Sequence, residues 1–81
     1  MLERHPSVRQ AVVVGEPDER LGERVVAFVV VDGRFDLHEC RRWFEERGVA
    51  RFKTPERVEV VDDIPVLASG KPDREVLRQL L

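Results

Sequence analysis

The run Val25-Val26-Ala27-Phe28-Val29-Val30-Val31 constrains this chain more than any other stretch. Seven consecutive apolar residues, five of them valine, favour an extended backbone over a helix. Side chains alternate faces along a strand, so a run without polar interruption demands cover on both sides. The strand over Glu23 to Val31 is therefore predicted to be central, or buried on both faces. It falls well short of the roughly 20 apolar residues that would cross a bilayer.

The flanking segments fit around that strand. Ala11 to Val14 predicts a short buried strand ended by Gly15, and Gly15 to Gly22 a loop with two glycines and a proline. Before it, Met1 to Arg4 has the character of a helix's last turn, stopped at His5-Pro6 because the residue before proline is pushed out of the α region. After the central strand, Asp32-Gly33 predicts a turn and Asp36 a helix cap, with Glu39 at capping-box spacing. Leu37, Cys40 and Phe44 form one apolar stripe, and Gly48 is placed to end the helix. Trp43 is adjacent to Phe44, so only one of the two can face the core fully, leaving the other to cover an edge or meet a partner. Arg57 to Val61 predicts a third strand, for which a helical connection leaves both directions open. Asp73 predicts the cap of a last helix carrying Val76, Leu77, Leu80 and Leu81. The expected fold class is α+β: a small three-stranded sheet packed with helices, plus a C-terminal hairpin.

Composition narrows the function classes. Eighty-one residues make one domain that buries only roughly 60% of its unfolded surface. Fourteen basic against sixteen acidic residues leave a net charge of −2, with no field to hold nucleic acid or an anionic membrane. The N-terminus lacks the apolar stretch of a signal peptide. A single cysteine, Cys40, excludes an internal disulfide and a multi-cysteine zinc site, which suits a reducing, cytoplasmic setting. Its place on an apolar stripe argues for packing over nucleophilic chemistry. His5 and His38 have no second ligand at helical spacing. Asp18-Glu19-Arg20 and Glu45-Glu46-Arg47 are expected to be solvated surface. Asp62 and Asp63, as strand neighbours, would point to opposite faces and make no acid/base pair.

The stretch from Pro65 to Arg74 carries the strongest chemical signal. Two prolines and Gly70 bracket a Ser69-Gly70-Lys71 tip between a strand-like and a helical run, which predicts a shaped hairpin presenting a cation.

An ordered series of motifs then resembles a known family. Glu3-x-His5-Pro6-x-Val8, Val12-Val13-Val14-Gly15-x-Pro17-Asp18-Glu19-x-x-Gly22-Glu23, Ala27-Phe28-Val29, Phe52-Lys53-x-Pro55 and Ile64-Pro65-x-x-x-Ser69-Gly70-Lys71 together are similar to the C-terminal domain of acyl- and aryl-CoA synthetases of the adenylate-forming (AMP-binding) superfamily. The resemblance spans about Glu3 to Leu77. It implies a lid domain that rotates between two half-reactions, acyl-adenylate formation from ATP and thioester formation with CoA. Lys71 is implied as the adenylation lysine, with Ser69 and Gly70 shaping its hairpin. Lys53 either pairs with CoA phosphates or lines the domain interface, with a structural role at a strand entrance as the alternative.

The resemblance further implies that the nucleotide loop, the ribose-binding aspartate, the magnesium that accompanies ATP, the hinge and the acyl pocket belong to a large N-terminal domain absent from residues 1–81. That domain is the implied partner, and the isolated chain is expected to be inactive. Met1, falling inside a helix, suggests a truncated fragment; a stand-alone module docking on an acyl carrier protein or partner enzyme is the alternative. Fatty, aryl and short-chain acids all remain open as substrates.

Overall fold

A computed structural model describes residues 2–18, 22–50 and 53–81. Its three strands, β1 (Val8–Asp18), β2 (Gly22–Val31) and β3 (Arg57–Val60), form one mixed sheet in the order β1-β2-β3. β2 is central, as its apolar run requires. It pairs antiparallel with β1, from Val8 opposite Val31 to Asp18 opposite Gly22, with one irregularity between Val8 and Gln10. It pairs parallel with β3, Val26 opposite Arg57 through Val29 opposite Val60.

β2 feeds two cores. Ala27 and Val29 project to one face and pack with Leu2, Val8, Phe35, Cys40 and Phe44. Val26 and Phe28 project to the other and pack with Val12, Val14, Ile64 and Leu77. The first face is covered by α1 (Leu37–Glu46) and by a 3-10 turn at Leu2–Arg4. The second is covered by the chain after β3 and by α2 (Arg74–Gln79). Helices on both faces reconcile a three-stranded sheet with a strand that is apolar on both sides.

α1 starts and stops where its sequence directs. Asp36 sits in an extended conformation, and its Oδ1 accepts from the Glu39 N–H at 2.9 Å. At the other end Gly48, at φ +71°, donates to Glu45 O, and Val49 donates to Phe44 O at 3.1 Å. That pair of bonds is the Schellman arrangement, with Val49 and Phe44 packed in the same core. Phe44 is buried, while Trp43 lies half-buried at the core's margin under the Arg47 guanidinium. Cys40 is fully buried, and burial pushes its thiol up to about 11, so it packs rather than reacts.

Two expectations need correction. β1 does not end at Gly15; it runs on to Asp18, and the loop expected over 15–22 shrinks accordingly. The reason lies in strand parity. Val13 and Gly15 turn their carbonyls away from β2, toward α2, so Pro17 two residues on also faces outward. Its missing N–H removes no ladder bond, which is how an edge strand accommodates proline. Second, the N-terminal turn is 3-10 rather than α-helical. On α2, whose apolar residues the sequence left unassigned to core or surface, only Leu77 is buried; Val76 and Leu80 are exposed, and Leu81 packs at the margin. Met1, Glu19, Arg20, Leu21, Arg51 and Phe52 lie outside the described residues, including Phe52 of the fourth motif and part of the expected Asp18-Glu19-Arg20 cluster.

Candidate functional site

The Pro65–Asp73 segment forms the expected hairpin. Val66 and Pro72 bridge antiparallel, Leu67 N–H donates to Lys71 O at 2.7 Å, and Gly70 N–H donates to Leu67 O at 2.8 Å. This is a three-residue loop, Ala68-Ser69-Gly70, whose last residue sits at φ +89°. A turn closed by a residue at positive φ matches the twist of the flanking strands, and glycine adopts that angle without a Cβ penalty. Gly70 thus earns its place through the backbone, and Ser69 is an exposed residue of the turn.

Lys71 leaves the hairpin immediately after this glycine. It is exposed, and among the described residues its ammonium has no hydrogen-bond or ion-pair partner. An ammonium that is neither paired nor buried is available to an anion supplied from outside the domain. The hairpin's base is firm. Asp73 N–H donates to Pro65 O at 2.8 Å, and Asp73 Oδ1 accepts from the Val76 N–H at 3.2 Å, so one residue closes the hairpin and caps α2. Ile64 before the hairpin and Leu77 after it are both buried in the second core.

The structure brings Ser69, Gly70 and Lys71 together in one turn. Lys53 stands apart, exposed on the turn that enters β3, with its N–H donating to Ala50 O at 2.9 Å. Beneath it Thr54 and Pro55 are buried, and the Thr54 hydroxyl donates to Ala50 O at 3.2 Å, so Ala50 O is held by the Lys53 N–H and by the Thr54 side chain.

Two polar groupings were not foreseen. His5, expected as a simple helix-end residue, is buried with its ring edge-on to Phe35 and Trp43. Its Nδ1 accepts from the Ser7 N–H, which places the ring proton on Nε2, 3.1 Å from Glu39 Oε1. The Glu39 carboxylate is held below its usual range, chiefly by this hydrogen bond and then by Arg42, against some desolvation. Glu39 therefore does not complete the capping box; its side chain fastens the N-terminal turn to α1. The open cleft lined by His5, Arg34, Asp36 and Glu39 lies here, away from the hairpin, with its acids already engaged.

The second grouping is on α2. Arg78 Nε donates to Gly15 O at 3.1 Å, and Arg74 Nε lies 3.5 Å from Val13 O. The signal in the sequence was their one-turn spacing around Leu77, which has meaning only once β1 is known to continue past Gly15.

Comparison with known proteins points in one direction. Residues 1–71 match the profile described as the AMP-binding enzyme C-terminal domain. The chain is 44% identical over 81 residues to enterobactin synthase component E of Escherichia coli, covering all of this chain and 15% of that protein. It is 38% identical over 82 residues to the medium-chain fatty-acid–CoA ligase of the same organism, covering 98% of this chain and 14% of that one. Among solved structures, MbtA of Mycobacterium smegmatis in its apo form superposes with a TM-score of 0.94 at 38% identity, covering 99% of this chain and 15% of that chain. The chain therefore spans about one-seventh of the relatives it matches.

Proposed function

We propose, given that this chain belongs to the family of AMP-binding enzyme C-terminal domains, that it is the mobile lid of an ATP-dependent carboxylic acid ligase and supplies the lysine of adenylation. The observation that carries the reading is Lys71, an exposed ammonium without a partner among the described residues, set on a hairpin closed by Gly70.

The chemistry suits a lysine presented this way. In adenylation a carboxylate oxygen attacks the α-phosphorus of ATP and pyrophosphate leaves. Negative charges approach one another, and further charge develops in transit. An ammonium touching both the carboxylate and the phosphoryl or ribose oxygens offsets that repulsion in a closed site. In the second step the thiol of CoA, or of a carrier protein, displaces AMP. That step needs no cation between phosphate and carboxylate, so the lid withdraws Lys71 and presents another face. Lys53 is assigned to the CoA phosphates or to the interface with the large domain.

Among the described residues no cluster of three or more His, Cys, Asp or Glu side chains is placed to hold a metal. The magnesium that accompanies ATP is assigned to the large domain on the family resemblance alone. No helix among the described residues is long and apolar enough to cross a membrane.

The test is a chimera in which these 81 residues replace the matched segment of the E. coli medium-chain fatty-acid–CoA ligase. Adenylation is read as fatty-acid-dependent exchange of pyrophosphate into ATP, and the second step as thioester formation from preformed acyl-adenylate. Lys71→Ala is expected to slow adenylation by about 10²–10³, roughly 3–4 kcal/mol, and to spare the second step. Equal loss in both steps, or in neither, refutes the assignment. The isolated chain is expected to bind no ATP by calorimetry.

A further inference from the structure

We propose that Arg74 and Arg78 are positioning residues for Lys71, clamping α2 to the outer edge of β1 so that the hairpin points in one direction. The clamp is a matter of geometry; its functional consequence rests on the reading of Lys71 given above.

The two spacings match. Arg74 and Arg78 are four residues apart on α2, a rise of about 6 Å. Val13 and Gly15 are two residues apart on β1, a rise of about 6.8 Å. Each guanidinium therefore meets one outward carbonyl of the edge strand, Arg74 at Val13 and Arg78 at Gly15, with helix and strand running in the same direction. Both carbonyls lie on the side of β1 away from β2, where no third strand of the described sheet satisfies them.

Without the clamp α2 is weakly held. Leu77 is its only buried residue, and one buried side chain fixes a point about which a short helix can rotate. Two arginines at separate points on the strand remove that rotation. The constraint then passes to Lys71 along a stiff path. Asp73 belongs to both the helix cap and the hairpin base, and Pro72, with its fixed φ, joins Asp73 to Lys71. Arg78 is further steadied by Glu75 at 3.5 Å.

The experiment measures residual dipolar couplings on the 81-residue chain. In the native protein, the amides of Leu67, Gly70, Lys71 and Asp73 are expected to fit the same alignment tensor as β1 and β2. In Arg74→Met/Arg78→Met, which keeps apolar stems and removes the donors, the hairpin couplings are expected to lose that fit while the sheet couplings keep it. Arg74→Lys/Arg78→Lys, which restores a donor and a charge at each position, is expected to recover it. Hairpin couplings unchanged in the methionine variant overturn the clamp. Should that double variant fail to fold, Arg78→Met alone carries the same comparison.

The two readings separate in the chimera. If Lys71→Ala leaves adenylation intact, the lysine assignment fails whatever the couplings show. If Lys71→Ala abolishes adenylation but the methionine double variant does not slow it, the positioning role is overturned. The expected result is slower adenylation, unchanged thioester formation from acyl-adenylate, and recovery in the lysine double variant.

Discussion

Leu77→Ala tests how the functional hairpin is attached to the sheet. The Leu77 side chain is 0% exposed and sits among Val12, Val14, Val26, Phe28 and Ile64. Truncating a fully buried leucine forfeits its transfer free energy and leaves a cavity, a combined cost of about 2–5 kcal/mol. Here the cavity would be roofed by a six-residue helix near one side of the sheet. Such a roof settles more readily than a central strand, so a cost of about 3 kcal/mol is expected. A domain of this size is held by about 4–12 kcal/mol in total. At about 4–8 °C per kcal/mol, the melting temperature should fall by about 12–24 °C. Circular dichroism melts and urea titrations measure it directly. Leu80→Ala is the control: Leu80 is 63% exposed, so its truncation should stay within about 0.5 kcal/mol. If Leu77→Ala shifts the midpoint no more than Leu80→Ala, α2 is not seated on the second core and does not attach the hairpin to the sheet.

Three further outcomes follow from the caps and turns. Asp36→Ala removes the acceptor of the Glu39 N–H and should cost about 1 kcal/mol by urea titration; no change would mean that another group caps α1. Gly70→Ala meets no neighbouring atom, so its cost is the backbone at φ +89°, about 1–2 kcal/mol. The melting temperature should fall by about 4–16 °C, and amide exchange at Gly70 and Leu67 should accelerate; an unchanged melting temperature would mean that the turn relaxes to accept the alanine. Glu39 is ionised more readily in the folded protein than in the unfolded chain. Its pairing therefore stabilises fully above the ordinary glutamate range, and that contribution is lost as pH falls through the lowered value. Melting temperatures of the native protein and Glu39→Gln should differ above pH 5 and converge on acidification; a gap that persists in acid would refute the pairing with His5.

Local signals made much of this fold legible. The valine run placed β2 at the centre, Asp36 and Gly48 bounded α1, and Asp73 capped α2, because each depends on residues within one turn of chain. Gly15 and Pro17 misled for the opposite reason. They break strands in isolation, but an edge strand tolerates both when their polar groups face away from its partner. Which of the apolar residues on α2 is buried was not legible, because apolar spacing cannot tell a buried helix face from an exposed one when the helix lies over a sheet edge. At the site, Ser69-Gly70-Lys71 was legible as a shaped turn. His5 with Glu39, and Arg74 and Arg78 with β1, were not, since their partners lie 34, 61 and 63 residues away.

The two faces of the sheet also differ in when they can be completed during synthesis. α1 lies between β2 and β3 in the chain, so the first face has its roof before the third strand exists. Ile64 and Leu77 follow all three strands, so the second face, with Val12, Val14, Val26 and Phe28, waits for them. A nascent chain halted between β3 and α2 would carry a finished side and a bare apolar side, the kind of surface that chaperones capture. The segment that shuts this side also carries the hairpin and Lys71, so closure of the core and arrival of the lysine are a single event in the life of the polypeptide.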